Sequence, residues 1–190
     1  MIKLSIYLPP LPPELERSVA ELDKLCFRNH FTPTDKQHTD RHDRFCSSGD
    51  LVYYVLATQN NQLIGETRVF KRIIAFDSQK VVLGGIGSVA THPKKRKQGI
   101  ATQMVAKGME LLVGEHCDVA YLCADIYTLK SLEFYEQFGF RRLLQKHMYV
   151  GKSGTRYTDL DGMIAPVGSK KLFEKIIAAA TPFEIGVGNW

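Results

Sequence analysis

Residues 81–102 read VVLGGIGSVATHPKKRKQGIAT, and the order of residue types in that stretch decides the fold. Its first part, Val81 to Ala90, is an apolar run that reads as a strand and stops at Thr91-His92-Pro93. Further on, Ile100, Met104, Val105, Leu111 and Leu112 share one side of an amphipathic stretch, with Lys107 and Glu110 on the other, so the period has become helical. Between the two lies Arg96-Lys97-Gln98-Gly99-Ile100-Ala101. A strand, a basic turn with a glycine and a helix start make a physical receptor for a pyrophosphate. The first N–H groups of a helix have no partner within it, and the macrodipole makes that end positive. Gly99 and the small Ala101 let the backbone come close to phosphate oxygens where a longer side chain would intrude.

The pattern R-x-x-G-x-A after such a strand resembles the acyl-CoA signature of the GNAT superfamily of N-acetyltransferases. A second element, Phe134-Tyr135-Glu136-Gln137-Phe138-Gly139-Phe140, is similar to the superfamily's "YEKLGF"-like segment, and one helix and one strand separate the two. The resemblance covers residues 50 to 150 well. It implies a mixed α/β (α+β) fold with a twisted, mainly antiparallel central sheet flanked by helices, and acetyl-CoA as the acyl-donor cosubstrate. It also implies that the backbone of Val89, Ala90 and Thr91 holds the pantetheine arm. Arg96, Lys97, Gln98, Gly99, Ile100, Ala101 and Thr102 then hold the pyrophosphate, chiefly through main-chain N–H groups.

The 190 residues, 44% of them hydrophobic, suffice for one ordinary domain spanning 1–190, with a C-terminal hairpin, helix and tail over 151–190. Met1 to Pro10 is mostly apolar, but Pro9, Pro10, Pro12 and Pro13 break it, so neither a signal peptide nor a membrane span is expected. Cys26, Cys46, Cys117 and Cys123 show no CxxC spacing, which points away from a disulfide framework or zinc site and toward a reducing cytoplasm. Net charge is +5, and Lys94 to Lys97 is the dense basic run. Because that run abuts the phosphate turn, it is assigned to coenzyme phosphates and not to nucleic acid. A homodimer is an assembly the sequence leaves open.

Glu14 to Phe27 reads as a helix, Leu51 to Ala57 and Leu63 to Ala75 as a hairpin through Gln59-Asn60-Asn61-Gln62, and Gly99 to Val113 as the helix after the turn. Thr32-Pro33-Thr34-Asp35 suits the cap of a short second helix. Asp118 to Ala124 is expected as a buried strand, followed by a helix that Thr128 caps and that runs to Phe138. Phe140 to Val150 and Tyr157 to Val167 read as a hairpin, Ser169 to Ala179 as a helix and Thr181 to Trp190 as a tail. The apolar Phe183, Ile185, Val187 and Trp190 favour a tail that packs back on the domain with Trp190 as its anchor.

Acyl transfer to an amine needs a neutral nucleophile, a proton donor for the departing thiolate and a dipole for the charge on the carbonyl oxygen. Tyr135 is the candidate acid, since a phenol stays protonated at neutral pH and relatives carry a tyrosine there. The base is less determined. Relatives often place a glutamate on the strand that reads Gly85-Ile86-Gly87-Ser88 here, so deprotonation is assigned either to water held by backbone and Ser88 or to Asp125. His38 and His42, with Asp40 and Asp43, read as a polar helix surface, and Cys123 as a small thiol in the core, so no metal is expected.

The late elements resemble the aminoglycoside 2′-N-acetyltransferase branch. That branch shares an acidic-glycine strand and a chain end at tryptophan, and its C-terminal carboxylate lies in the antibiotic site; here Asp159, Asp161, Glu184 and the Trp190 carboxylate would supply acidic partners for a polycationic sugar. The readings are therefore direct transfer to a primary amine of a small molecule, an aminoglycoside enzyme, a protein N-terminal or lysine acetyltransferase, and an acyl-CoA-binding module without turnover.

Overall fold

A computed structural model describes residues 1–27, 43–45, 49–124 and 129–190. Ten strands and four α-helices are found among them. The chain enters as β1 (Ile2–Tyr7), a strand the sequence pattern hides because four prolines follow it so closely. Then come α1 (Pro13–Cys26), β2 (Leu51–Gln59), β3 (Gln62–Phe76) and β4 (Gln79–Thr91). Both tight turns in this meander use two consecutive residues with positive φ, Asn60-Asn61 and Asp77-Ser78, as two-residue hairpins require. A 3-10 turn (Pro93–Lys95) leads to α2 (Ile100–Gly114), β5 (Val119–Cys123) and α3 (Leu129–Glu136). The C-terminal part holds β6 (Arg141–Arg142), β7 (His147–Val150), β8 (Arg156–Asp159), β9 (Gly162–Pro166), α4 (Lys170–Ala178) and β10 (Phe183–Val187).

Seven strands form one sheet in the order β1-β2-β3-β4-β5-β9-β6, and β10-β7-β8 form a second. Within the large sheet only the β4–β5 pair is parallel. The expected single C-terminal hairpin is thus corrected to two pairs. β6 and β9 complete the large sheet, whereas β7 and β8 leave it to pair with each other and with β10. One face of the large sheet packs on Ile100, Met104, Val105 and Leu112 of α2. The other carries Phe70, Leu83 and Tyr121 against Phe173 and Ile176 of α4 and Phe183, Ile185 and Trp190 of the tail. α1 covers the β1–β2–β3 end of that second face through Val19 and Leu22.

The tail therefore packs back, as its composition leads one to expect, although Val187 points to solvent. Trp190 stacks on Phe70 at 5.3 Å and lies 4.0 Å under the Arg72 guanidinium. Gly85 makes the floor for it: a Cβ there would come within 2.2 Å of the indole. Asn189 is also buried, taking the Tyr121 hydroxyl proton at 3.1 Å.

Where β4 and β5 part company sets up the site. They pair only from Leu83↔Val119 to Gly85↔Tyr121. β4 nevertheless continues beside β3 to Thr91↔Gly65, and β5 beside β9 to Cys123↔Gly162. Among the described residues, 86–91 consequently have one edge without a strand partner, which faces a wedge between the strands. Between Glu66↔Ala90 and Arg68↔Gly87 the register shifts, with one residue more on β4 than on β3. That is a bulge, with Ser88 at φ 49°, and it re-aims the end of the strand.

Candidate functional site

The turn expected to hold phosphates lies between β4 and α2, where the sequence puts a turn. Gly99 is the N-cap of α2 with φ 72°, and no side chain caps the helix. The first helical bond runs from the Gln103 N–H to the Gly99 carbonyl at 3.0 Å, so the N–H groups of Ile100, Ala101 and Thr102 remain free for a ligand. Space for one exists: a Cβ on Gly99 would meet nothing closer than Gln103 Nε2 at 4.0 Å. Arg96, Lys97, Gln98 and Gly99 are exposed, while Ile100 anchors the helix in the core. The turn is pinned to the strand end at the Thr91 carbonyl, which accepts from Arg96 Nε at 3.3 Å and from the Cys26 thiol of α1 at 3.4 Å.

Val89, Ala90 and Thr91 lie along the free edge of β4, with Ser88 at the bulge beside them. Opposite Ala90 on β3 stands Glu66, a residue the sequence reading passed over. It is fully buried, 3.2 Å from Arg68 Nη2, which also holds Asp23 of α1 at 2.5 Å. Burial, aided by the nearby Asp23 carboxyl, raises the Glu66 pKa far above the usual carboxylate range, against the pull of Arg68.

On the other wall, Tyr135 in α3 packs edge-on against Phe134 and Phe140. Burial raises its phenol to about 12, with the neighbouring Cys123 thiol adding to the shift. Asp125 and Thr128 lie outside the described residues, as do His38, Asp40, His42, Cys46 and the expected short helix near Thr32.

Cys123 links this wall to a polar cluster. Its thiol donates to Asp161 Oδ2 at 2.9 Å, and burial pushes its pKa well up. Asp161 Oδ1 lies 3.6 Å from Nε2 of His147, a fully buried imidazole on β7. Asp159 is drawn to the same cluster, but its oxygens are occupied: Arg44 Nη2 reaches both, at 2.6 and 2.5 Å, and the Tyr149 hydroxyl donates at 2.6 Å. The acidic pair expected to face a cation therefore resolves into one neutralised carboxylate and one open one. His147, Asp159 and Asp161 have ligand atoms within 4.8 Å of one another. With Arg44 already on Asp159, a cation would find two donors, fewer than a stable site takes. Trp190 stands next to this cluster, since Tyr121 contacts both its ring and that of His147. No helix among the described residues is long and apolar enough to cross a membrane.

Comparison with known proteins agrees with this geometry. Residues 10–143 match the family model described as "Acetyltransferase (GNAT) domain". Over 82 residues, 42% of this chain, the sequence is 32% identical to N-alpha-acetyltransferase 30 of Xenopus laevis, and the match spans 30% of that relative's length. The fold is similar to the ribosomal-protein-S18-alanine N-acetyltransferase from Escherichia coli, with TM-score 0.56 and 14% identity, over 87% of this chain and 94% of that one. A GNAT family acetyltransferase from Brucella melitensis, solved in complex with acetyl-CoA, superposes with TM-score 0.53 and 19% identity, over 73% of this chain and 83% of that one. The chain belongs to the GNAT acetyltransferase family.

Proposed function

We propose that the chain is an acetyl-CoA-dependent N-acetyltransferase that moves the acetyl group directly to a primary amine of a small molecule. The observation that carries this reading is the uncapped start of α2 beside the free edge of β4, where the strand parts from β5. The residues fit the coenzyme. Ile100, Ala101 and Thr102 offer N–H groups to a pyrophosphate, Gly99 leaves room for it, and Lys94, Arg96 and Lys97 supply exposed positive charge. The unpaired edge at Val89, Ala90 and Thr91 offers main-chain groups to an extended arm and a dipole to a carbonyl oxygen.

When bound, acetyl-CoA supplies an activated acetyl group and a thiol leaving group. Tyr135 gives its phenolic proton to the sulfur as the C–S bond breaks, and its phenolate recovers a proton given up by the acylated nitrogen. Ser88 and Asp161 border the acceptor side, Trp190 walls it, and Asp159 holds Arg44 in place. Direct transfer is favoured over an acyl-cysteine route because the half-buried Cys123 thiol is kept protonated and donates to Asp161.

A second reading, transfer to the α-amine of a polypeptide, is favoured by the similarity to N-alpha-acetyltransferase 30. One experiment tests both. Purified protein is given acetyl-CoA with a panel of small primary amines and short peptides, and free thiol is measured. Release with small amines is the expected outcome. Release with peptides alone would favour the second reading, and no release with any acceptor would reduce the chain to a coenzyme-binding module.

A further inference from the structure

We propose that Asp161 and His147 form the receptor for the acceptor's ammonium group, and that His147 takes the proton the amine must lose before it attacks. This rests on the N-acetyltransferase reading above.

A neutral imidazole carries one donor and one acceptor, and buried polar groups are almost always paired. His147 is fully buried, yet among the described residues neither ring nitrogen has a hydrogen-bond partner, and the buried Asp161 Oδ1 has none there either. The two face each other at 3.6 Å, too far for a bond between them. With the ring proton on Nδ1, the tautomer this proposal assigns, Nε2 and Asp161 Oδ1 are two neighbouring acceptors without a donor. A primary ammonium nitrogen, bonded at about 2.9 Å to each, closes that triangle with two of its three N–H groups.

Charge and access fit. The groups facing the imidazole are Asp161, Asp159 at the end of β8, Tyr121 of β5, Tyr149 of β7 and Arg44, whose charge Asp159 already offsets. What remains is the carboxylate of Asp161, whose side chain is 33% exposed although Oδ1 itself is buried. Burial lowers the His147 pKa, with Arg44 acting in the same sense and the two aspartates opposing, so the ring is neutral and ready to accept near pH 7. The cluster also lies at the wedge: Asp161 Oδ2 holds the Cys123 thiol, and Cys123 is the electrostatic neighbour of Tyr135.

In the step itself an ammonium N–H bond breaks, its electron pair stays on nitrogen as the attacking lone pair, and the proton bonds His147 Nε2. The imidazolium so formed is balanced by Asp161 until it releases its proton to water.

The test uses the full chain with 15N-labelled histidine, the His147 signals being identified by their loss in His147→Gln. n-Butylamine at pH 7 should move the His147 ring-nitrogen signals saturably. Tetramethylammonium, a cation with no N–H, should not, and Asp161→Asn should abolish the response. An unmoved His147, or an equal shift with tetramethylammonium, overturns the receptor. In turnover, His147→Gln should keep acetyl-CoA affinity and lower kcat/KM for primary amines by roughly 10²–10⁴-fold, with loss of the acid limb of the pH profile. A variant with an unchanged profile would sink the proton-acceptor role while leaving the acetyltransferase reading intact. n-Butylamine binding at His147 in a protein that acetylates nothing would keep the receptor and defeat that reading instead.

Discussion

Tyr135 and Glu66 are two titratable groups that burial drives the same way, with opposite consequences. For Tyr135 a pKa near 12 means the proton is held more firmly than in an ordinary phenol. The acid works in its protonated form, so kcat should stay flat through pH 10, where a free phenol would be about half ionised. Tyr135→Phe should keep acetyl-CoA affinity and lower kcat by roughly 10²–10⁴-fold, as steady-state kinetics would show. For Glu66 the raised pKa is a cost. The folded state binds its proton more tightly than the unfolded chain does, so stability is full below the unfolded pKa and falls as pH rises toward the folded one. The slope is at most about 1.4 kcal/mol per pH unit. Glu66→Gln should flatten it, and urea midpoints measured from pH 4 to pH 9 in both proteins decide the matter. Steeper pH dependence in the variant would contradict this account. Tyr135 stood out in the sequence because a local motif surrounds it, whereas Glu66 and His147 owe their character to burial and to neighbours 43 and 14 residues away, Asp23 and Asp161.

At the scale of elements, local chemistry was readable and long-range pairing was not. The Asn60-Asn61 turn, α1, α2 and the basic turn before α2 stand where residue types and period put them. The region from Phe140 to Val150 misled because its alternation runs without a break from Arg142 to Tyr149. Leu143, Gln145, His147 and Tyr149 are all buried and Leu144 and Lys146 exposed, straight through the break between β6 and β7. The break is made from afar: Gln145 donates to the Ile176 carbonyl of α4, and the Phe183 N–H of β10 bonds the Lys146 carbonyl. Period alone cannot say which sheet a strand joins. For the phosphate turn the prediction is sharper. Gly99→Val forces a β-branched residue to φ 72° and puts its methyls where a phosphate would lie. Acetyl-CoA affinity should collapse in calorimetric titration while the far-UV spectrum is kept. Arg96→Ala should weaken binding less, and the loss should shrink at high salt because the charge is exposed.

Across the whole molecule, two cores share one sheet, and the tail decides whether they behave as one body. The face under α2 is filled without the tail, by residues from Val55 to Ala165, whereas the opposite face includes Phe183, Ile185 and Trp190 of the chain end. Trp190 is the single tryptophan, so its fluorescence reports the second core alone, whereas the far-UV signal averages both. β3, β4 and β5 contribute side chains to each face, which ties the two cores mechanically. We therefore expect one cooperative unit: fluorescence and circular dichroism should fall at the same urea concentration. Trp190→Ala removes a large side chain from among Phe70, Gly85 and Arg72, and should cost about 3–5 kcal/mol, with the whole transition moving to lower urea. If the variant instead loses the β10-β7-β8 side first, seen as a separate low-urea phase in circular dichroism, the two faces are independent units. Because His147 lies on β7, the proposed acceptor pocket would then come apart while the proposed coenzyme turn stayed folded.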